Sequence, residues 1–365
     1  MPKIYDAIVV GGGVAGSYIA SQLRGEVLLI EKNRKIVPKD SGIVSKRFLK
    51  LIPDGRQLIK FNIKKIECTS PSGLTFCLKS EEPFAYILKR RSFSQFLLSK
   101  AKKNADIARE MVQSVHFFND HVAVKTNEGS YNTKMVIGCD GSNSVVRKSM
   151  GIESPRLALG IMVKTPRRME GEINVFFNKY FSSDFFSWII PMNREYGTIT
   201  AIRPRAYFDY FKKNMYLPPG VMYANMIPYT YTKSYSERAI LVGDACGQNK
   251  PLTGGGIIFS LLAAQHAIQI ANDAIEENRF DGNFLGYYES YWKKELAWEI
   301  EKQFLLRSIY RKMTNKEIDE LFERIGPHIE ALRDFDYDKF SMAWSRLPKL
   351  KLIETIVKFL PRLIA

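Results

Sequence analysis

Short unbroken apolar runs, each closed by glycine or an acidic residue, recur along this chain. Ala7, Ile8, Val9 and Val10 form the first; Val27, Leu28, Leu29 and Ile30 the second; Met135, Val136 and Ile137 the third; Ala239, Ile240, Leu241 and Val242 the fourth. Runs of this length bounded by turn residues predict strands buried on both faces, as in a parallel sheet. Residues 17–23 follow the first run at helical spacing. The middle of the chain reads differently, as strands over residues 157–163, 172–178, 185–190 and 197–202. In that block Ile173, Val175 and Phe177 share one face of their strand, and Phe186, Trp188 and Ile190 share one face of theirs. Beyond Phe280 the pattern turns helical through Tyr310, with a further amphipathic helix over residues 317–332. No internal repeat is visible.

The ends of the buried runs carry the chemistry. Gly11, Gly13 and Gly16 satisfy G-x-G-x-x-G between a strand and a helix. There the glycines permit a tight turn, close approach of a pyrophosphate and close helix–strand packing, while the helix N-terminus offers free N–H groups. Glu31 ends the second run 20 residues after Gly11, where a carboxylate accepts from ribose hydroxyls. The third run ends in Asp140-Gly141 and the fourth in Gly243-Asp244-Ala245, followed by Pro251, Thr253 and Gly254-Gly255-Gly256-Ile257. With four His and no CxxC or HExxH pattern, no metal site is expected.

G-x-G-x-x-G, then D-G, then G-D-A with P-x-x-G-x-G resembles the FAD-dependent oxidoreductases of the para-hydroxybenzoate hydroxylase type. Phe186, Trp188, Ile190 and Pro191 narrow this, because they resemble the Y-x-W-x-F-P signature of the geranylgeranyl reductase family, with Trp and Pro identical. The resemblance covers roughly residues 4–310. It implies an α/β fold: an FAD-binding Rossmann-like domain (residues 1–70, 104–156 and 229–283), an inserted antiparallel-sheet substrate domain (71–103 and 157–228) and a C-terminal helical region (284–365).

The cofactor residues it implies are Gly11, Gly13, Ala15, Gly16, Glu31, Lys32, Ser41, Gly42, Val44, Arg90, Val112, Asp244, Gly255, Gly256 and Ile257. Asp244 would hold ribityl hydroxyls and Val112 would lie beside the adenine. Arg90 heads the family's R-x-x-F. Lys39, Asp40, Ser41 and Gly42 stand where the family has K-P-C-G, so Ser41 replaces a thiol and cannot be a thiolate at neutral pH.

The family saturates isolated C=C bonds of polyprenyl chains on archaeal lipids, chlorophyll precursors or quinones. The expected function is therefore reduction of a polyprenyl lipid or prenyl diphosphate by protonation and by hydride from reduced FAD. The electron donor would be ferredoxin or NAD(P)H; a single dinucleotide fingerprint leaves no separate NAD(P)H domain evident. Ser41 and Trp188 are the catalytic candidates, and the proton donor is open. Phe177, Phe186 and Trp188 either wall a hydrocarbon tunnel or fill the core. His116, His121, His266 and His328 sit in poor contexts for proton donation, with His266 and Cys246 read as packing residues. A flavin monooxygenase, a reductase of a quinone prenyl side chain, and a non-catalytic flavoprotein are the competing readings.

Cys68 and Cys77 flank Pro71-Ser72-Gly73-Leu74; a two-residue loop at Ser72-Gly73 would set them opposite each other, within reach of a disulfide. The alternative is two buried thiols. Residues 251–272 carry no formal charge but hold three consecutive glycines, Gln265, His266 and Gln269, and read as a buried helix rather than a membrane span. The chain start leaves no signal peptide expected.

Composition then sharpens the partner. The 365 residues include 54 Lys and Arg against 38 Asp and Glu, a net charge of +16, with 23 Phe and 18 Tyr. A basic balance fits nucleic acid, membrane or a phosphorylated ligand. No nucleic-acid motif is present, and the tail 339–365 is basic and amphipathic, as an interfacial or a domain-packing helix would be. The expectation is a cytoplasmic protein peripherally held on an anionic membrane surface.

Overall fold

Ala7, Ile8, Val9 and Val10, all buried, set the middle of the molecule, because their strand has hydrogen-bonded neighbours on both sides and helices or strands over both faces. In the computed structural model, which describes residues 3–35, 37–38, 40–328, 336 and 338–339, this strand is Ile4–Val10. It lies in an eight-stranded sheet ordered Tyr235–Ser236, Ala239–Leu241, Ser130–Gly138, Ile4–Val10, Val27–Ile30 and Asp106–Ala108. The four runs expected to be parallel strands are parallel neighbours here. Val112–Phe117 and Val122–Thr126 add an antiparallel flap to the first half of Ser130–Gly138, covering the second face.

Helices Val14–Ala20, Arg90–Ala101, Ile257–Glu276 and Gly282–Lys312 close the other face over one continuous core. Arg147 is buried and ties the third strand's turn to the fourth, its guanidinium donating to the Ala245 carbonyl at 2.6 Å and the Ser142 carbonyl at 2.9 Å.

A second, seven-stranded sheet runs Val221–Pro228, Leu157–Lys164, Glu195–Thr200, Ser187–Ile190, Ile173–Phe176, Lys65–Thr69 and Thr75–Lys79. A three-stranded sheet, ordered Ile43–Ser45, Ala85–Leu88 and Ile59–Ile63, accompanies it. Sheet membership departs from the expected boundaries in two places. Lys65–Thr69 pairs in parallel with Ile173–Phe176, so the second sheet takes up chain from before residue 71. Arg90–Ala101 packs on Val14–Ala20 of the first layer, because Phe93, Leu97, Leu98 and Ala101 meet Ala15, Tyr18 and Ile19 in that core. The edge strand Val221–Pro228 and the helix Pro204–Asn214, anchored by buried Phe208 and Phe211, were not foreseen from the pattern.

The cysteine expectation is corrected. Cys68 stands opposite Phe76 and Cys77 opposite Glu67, because the turn spans three residues with Gly73 at φ +93°, rather than two. A one-residue shift puts the two thiols on opposite faces of the hairpin, and both are free. The apolar stretch 251–272 becomes a loop and the buried helix Ile257–Glu276; among the described residues no helix is long and apolar enough to cross a membrane. His266 pairs there with Glu295 of the next helix at 2.9 Å. The tail beyond residue 339 lies outside the described residues.

The long helix Gly282–Lys312 is pinned by Trp292, which is fully buried, edge-on to Tyr231 and donates from Nε1 to Ser234 Oγ at 2.9 Å. Trp292→Ala is expected to lower unfolding free energy by about 3–5 kcal/mol, read as a shifted denaturation midpoint.

Candidate functional site

The strand Ile4–Val10 can turn sharply into its helix only because Gly11 sits at φ +100° and Gly16 carries no side chain. A Cβ at Gly16 would lie 1.9 Å from the Gly11 carbonyl oxygen. Gly13 differs, since a Cβ there would meet nothing within 4 Å. It faces open space at the mouth of a cavity of about 700 Å³. Gly12 N donates to Glu31 Oε2 and Asn33 N to Oε1, both at 2.7 Å, which fixes the carboxylate at the end of the second strand.

Of the residues expected around a cofactor, Gly13, Ala15, Ser41, Gly42, Arg90, Asp244, Gly255, Gly256 and Ile257 line this one cavity. Gly11, Gly16, Glu31, Lys32, Val44 and Val112 lie off its wall. Val44 and Val112 are buried in the cores beneath, and Lys32 is exposed.

The loop before Ile257–Glu276 brings Gly255 and Gly256 to the wall, and no side chain caps that helix. Asp244 faces the same space with one long hydrogen bond, from Asn249 Nδ2 at 3.4 Å. Burial, with help from the charge of Asp40, pushes its carboxyl up to about 6. Asp140 by contrast is occupied, accepting from Ser144 Oγ at 2.6 Å and Val145 N at 2.6 Å as a cap for the short helix that follows. Arg90 is held by Asp40 through two bonds, Nε to Oδ1 at 2.6 Å and Nη2 to Oδ2 at 2.7 Å. Burial alone would raise the Asp40 carboxyl, but the Arg90 guanidinium outweighs it and holds the group below its usual range.

Away from the glycines the wall becomes hydrocarbon-like. Phe177, Phe186 and Trp188 all line it, with ring centroids 6.4 Å and 5.9 Å apart in that order. Ile173 and Val175 extend the face shared with Phe177, as the alternation predicted. The far end is closed by residues the sequence reading missed. Phe76 stacks on Phe322 at 4.9 Å, and Phe177 lies 5.8 Å from Phe322 and 5.9 Å from Tyr310. Arg307 sits with its guanidinium carbon 3.7 Å from the Phe185 ring and 3.4 Å from that of Tyr229, and donates to Asp184 Oδ2 at 2.5 Å. Thr253 Oγ1, Arg307 Nε and Tyr310 Oη are buried on or beside this wall without a protein partner. Such orphaned atoms mark a space built for a ligand or water.

Trp188 also reaches behind the wall. Gly197 stands across from it in the next strand, and a Cβ there would come 2.5 Å from the indole ring. Free of that side chain, the indole Nε1 donates to Glu195 Oε1 at 3.1 Å. Ser41 Oγ also donates to Glu195 Oε1, and Asn193 Nδ2 to Oε2 at 3.0 Å. Burial pushes the Glu195 carboxyl up, against the pull of the Ser41 bond and the Lys164 charge. Glu195 was absent from the sequence reading; its only local signal is a lone acid in a strand otherwise of small and apolar residues.

The four histidines lie off the wall. Cys246 is fully buried, donating to the Leu241 carbonyl, and burial raises its thiol. No cluster of His, Cys, Asp and Glu able to hold a metal occurs among the described residues. Lys250 and Asp338 form a buried pair at 2.7 Å behind Gly255, and Asp338 also accepts from Ser45 Oγ.

No protein-family model matches the chain. The sequence is 28% identical over 353 residues to digeranylgeranylglycerophospholipid reductase 2 of Methanothermobacter thermautotrophicus, covering 88% of this chain and 91% of that one. It is 26% identical over 370 residues to digeranylgeranylglycerophospholipid reductase of Methanocaldococcus jannaschii, covering 92% and 94%. The chain is a homologue of these digeranylgeranylglycerophospholipid reductases. Its fold matches that of a geranylgeranyl bacteriochlorophyll reductase-like protein from Thermoplasma acidophilum with a TM-score of 0.86, at 20% identity and over 98% of this chain and 99% of that one. A halogenase solved in complex with FAD shares the fold at a TM-score of 0.66, 15% identity, over 88% of this chain and 79% of that one.

The two glycines separate folding from ligand space. Gly16→Ala should destabilise the protein by about 1–3 kcal/mol through overpacking, whereas Gly13→Ala should leave the thermal midpoint of the ligand-free protein unchanged. Paired melting curves check both.

Proposed function

We propose that this protein is an FAD-dependent reductase that saturates isolated C=C bonds in polyprenyl chains of membrane lipids or their precursors. The observation that carries this reading is one continuous cavity lined at one end by glycine backbone and Asp244 and at the other by aromatic and aliphatic side chains. Its volume lies in the ~300–1,000 Å³ range of small-molecule sites. The homology to named digeranylgeranylglycerophospholipid reductases supports the same substrate class.

The residues present fit FAD. Gly13 leaves room for a pyrophosphate, the uncapped N-terminus of Ile257–Glu276 favours negative charge, and Asp244 has an open acceptor for ribityl hydroxyls. Reduced flavin, when bound, supplies a hydride. The rest of the chemistry belongs to the chain. Trp188, Phe186 and Phe177 hold the hydrocarbon by apolar burial, worth roughly 25 cal/mol per Å². The same wall keeps water from the alkene while it takes on cation character. Arg307 is already neutralised by Asp184, so its free Nε, with Thr253 and Tyr310, suits an uncharged oxygen of the substrate rather than a second anion.

Electrons would come from ferredoxin or NAD(P)H. The +16 charge would hold the protein to an anionic membrane surface, an attraction that weakens with salt.

Anaerobic incubation of the FAD-loaded, dithionite-reduced protein with geranylgeranyl glycerolipids should add two hydrogens per double bond, read by mass spectrometry. No saturation across several polyprenyl substrates overturns the reading, and substrate-stimulated oxygen uptake with NADPH would favour a monooxygenase instead. Gly13→Ala should weaken FAD binding tenfold or more, roughly 1.4 kcal/mol, as measured by flavin fluorescence titration.

A further inference from the structure

Protonation of an alkene needs an acid on the cavity wall, and the wall offers few. The histidines are elsewhere, and burial raises the Cys139 thiol well above its usual range. Tyr310 lies at the other end, separated from Trp188 by the rings of Phe177 and Phe186. Among the wall's carboxyls, Asp40 is bound to Arg90 and Asp184 to Arg307, and Asp244 stands at the glycine end with the acceptor assigned above to ribityl hydroxyls. Ser41 remains, on the wall beside Gly42 and next to Asp40. Its hydroxyl has one hydrogen, and its partner is Glu195, which is wholly buried behind the wall.

We propose that Glu195 is the proton reservoir of the reaction and acts through the Ser41 hydroxyl. The inference rests on the reductase reading above. Counting hydrogens at the carboxyl carries it. Trp188 Nε1 and Asn193 Nδ2 can only donate, at 3.1 Å to Oε1 and 3.0 Å to Oε2. When Glu195 is ionised, the Ser41 hydrogen points back to Oε1 and the cavity sees only lone pairs. When Glu195 is protonated, its O–H points to Ser41 Oγ and the Ser41 hydrogen is released toward the cavity. The protonation state of a buried group thus sets whether the wall can donate.

The alkene π pair takes the Ser41 proton and forms one C–H bond. The Glu195 O–H proton passes to Ser41 Oγ, leaving a carboxylate held by Trp188, Asn193 and Ser41. The other alkene carbon receives hydride from the reduced flavin, so the alkene gains two electrons and the cofactor loses two. One solvent proton then restores Glu195.

The charged groups around it suit that cycle. Lys164, half-buried on the neighbouring strand Leu157–Lys164, lies 3.8 Å from Oε2 and steadies the carboxylate. Lys60 on Ile59–Ile63 is exposed and donates to Asn193 Oδ1 at 2.8 Å, linking the group to solvent. Asp40 is a neighbouring acid, and Arg90 neutralises it. Arg194 turns away to the Pro166 carbonyl. Burial keeps the Glu195 carboxyl above the usual carboxylate range, so the acid form persists to higher pH than at a surface.

Glu195→Gln and Ser41→Ala test this. Measured at saturating FAD, each should lower kcat by about 100-fold with KM unchanged, and the double variant should fall no further. Wild-type kcat should decline as pH rises through the Glu195 transition, and Glu195→Gln should lack that limb. A readout independent of turnover is infrared difference spectroscopy of the ligand-free protein across pH. Wild type should show, beside the bands of Asp244 and Asp140, a protonated-carboxyl C=O band that disappears as pH rises and is absent in Glu195→Gln. Melting curves establish that both variants fold. A wild-type enzyme that reduces polyprenyl lipid while Glu195→Gln turns over within about threefold of it, with the same pH profile, overturns the inference and leaves the reductase reading intact. Absence of that band in wild type overturns it whatever the substrate proves to be.

Discussion

A glycine-lined cleft and an apolar, aromatic cavity can be one space only where the backbone between them approaches without side chains, and this constraint organises the molecule. Gly16 lets the first helix press onto the Gly11 carbonyl, leaving Gly13 facing open volume. Gly254, Gly255 and Gly256 bring the start of the buried helix Ile257–Glu276 to the same place. Gly197 does the equivalent in the second sheet, clearing the width of an indole so that Trp188 can both form the wall and reach Glu195 behind it. A methyl group at Gly11, Gly16 or Gly197 would meet backbone or ring atoms at 2.5 Å or less.

Around those close approaches the polar groups divide into two kinds. Some are paired within the protein and hold its parts together: Arg90 with Asp40, Arg307 with Asp184, Lys250 with Asp338, and Arg147, through Nη1 and Nη2, with the carbonyls of Ala245 and Ser142. Breaking one partner of such a buried pair costs far more than the pair itself contributes, since a lone charge is left in a dry interior. Others, on residues that line the cavity, are underserved, namely Asp244, Thr253, Tyr310 and Arg307 Nε. The second kind marks where ligand atoms belong, and it falls at both ends of the space.

The parts of this arrangement that depend on neighbours in sequence were legible there. The glycine turn, Glu31, the Asp244 turn and the Gly254–Ile257 helix start are local patterns with local reasons. The shared face of Phe177 with Val175, and of Phe186 with Trp188, follows from the period of a strand. What the sequence could not supply are pairings across long separations. Glu195 meets Ser41 across 154 residues and Arg307 meets Asp184 across 123. Lys65–Thr69 joins the second sheet by pairing with a strand more than a hundred residues away, so a boundary drawn at residue 71 cut through that sheet. Cys68 and Cys77 missed each other because one extra turn residue moves a side chain to the opposite face, and nothing in Pro71-Ser72-Gly73-Leu74 distinguishes the two loop lengths.

Whether one space serves both cofactor and hydrocarbon is tested most directly by a structure of the protein with FAD and a saturated polyprenyl lipid. The prenyl chain should lie against Trp188, Phe186 and Phe177, with one end beside Ser41 where it meets the flavin ring. A lipid chain bound outside this cavity, or a flavin ring separated from Ser41 by protein, would contradict it.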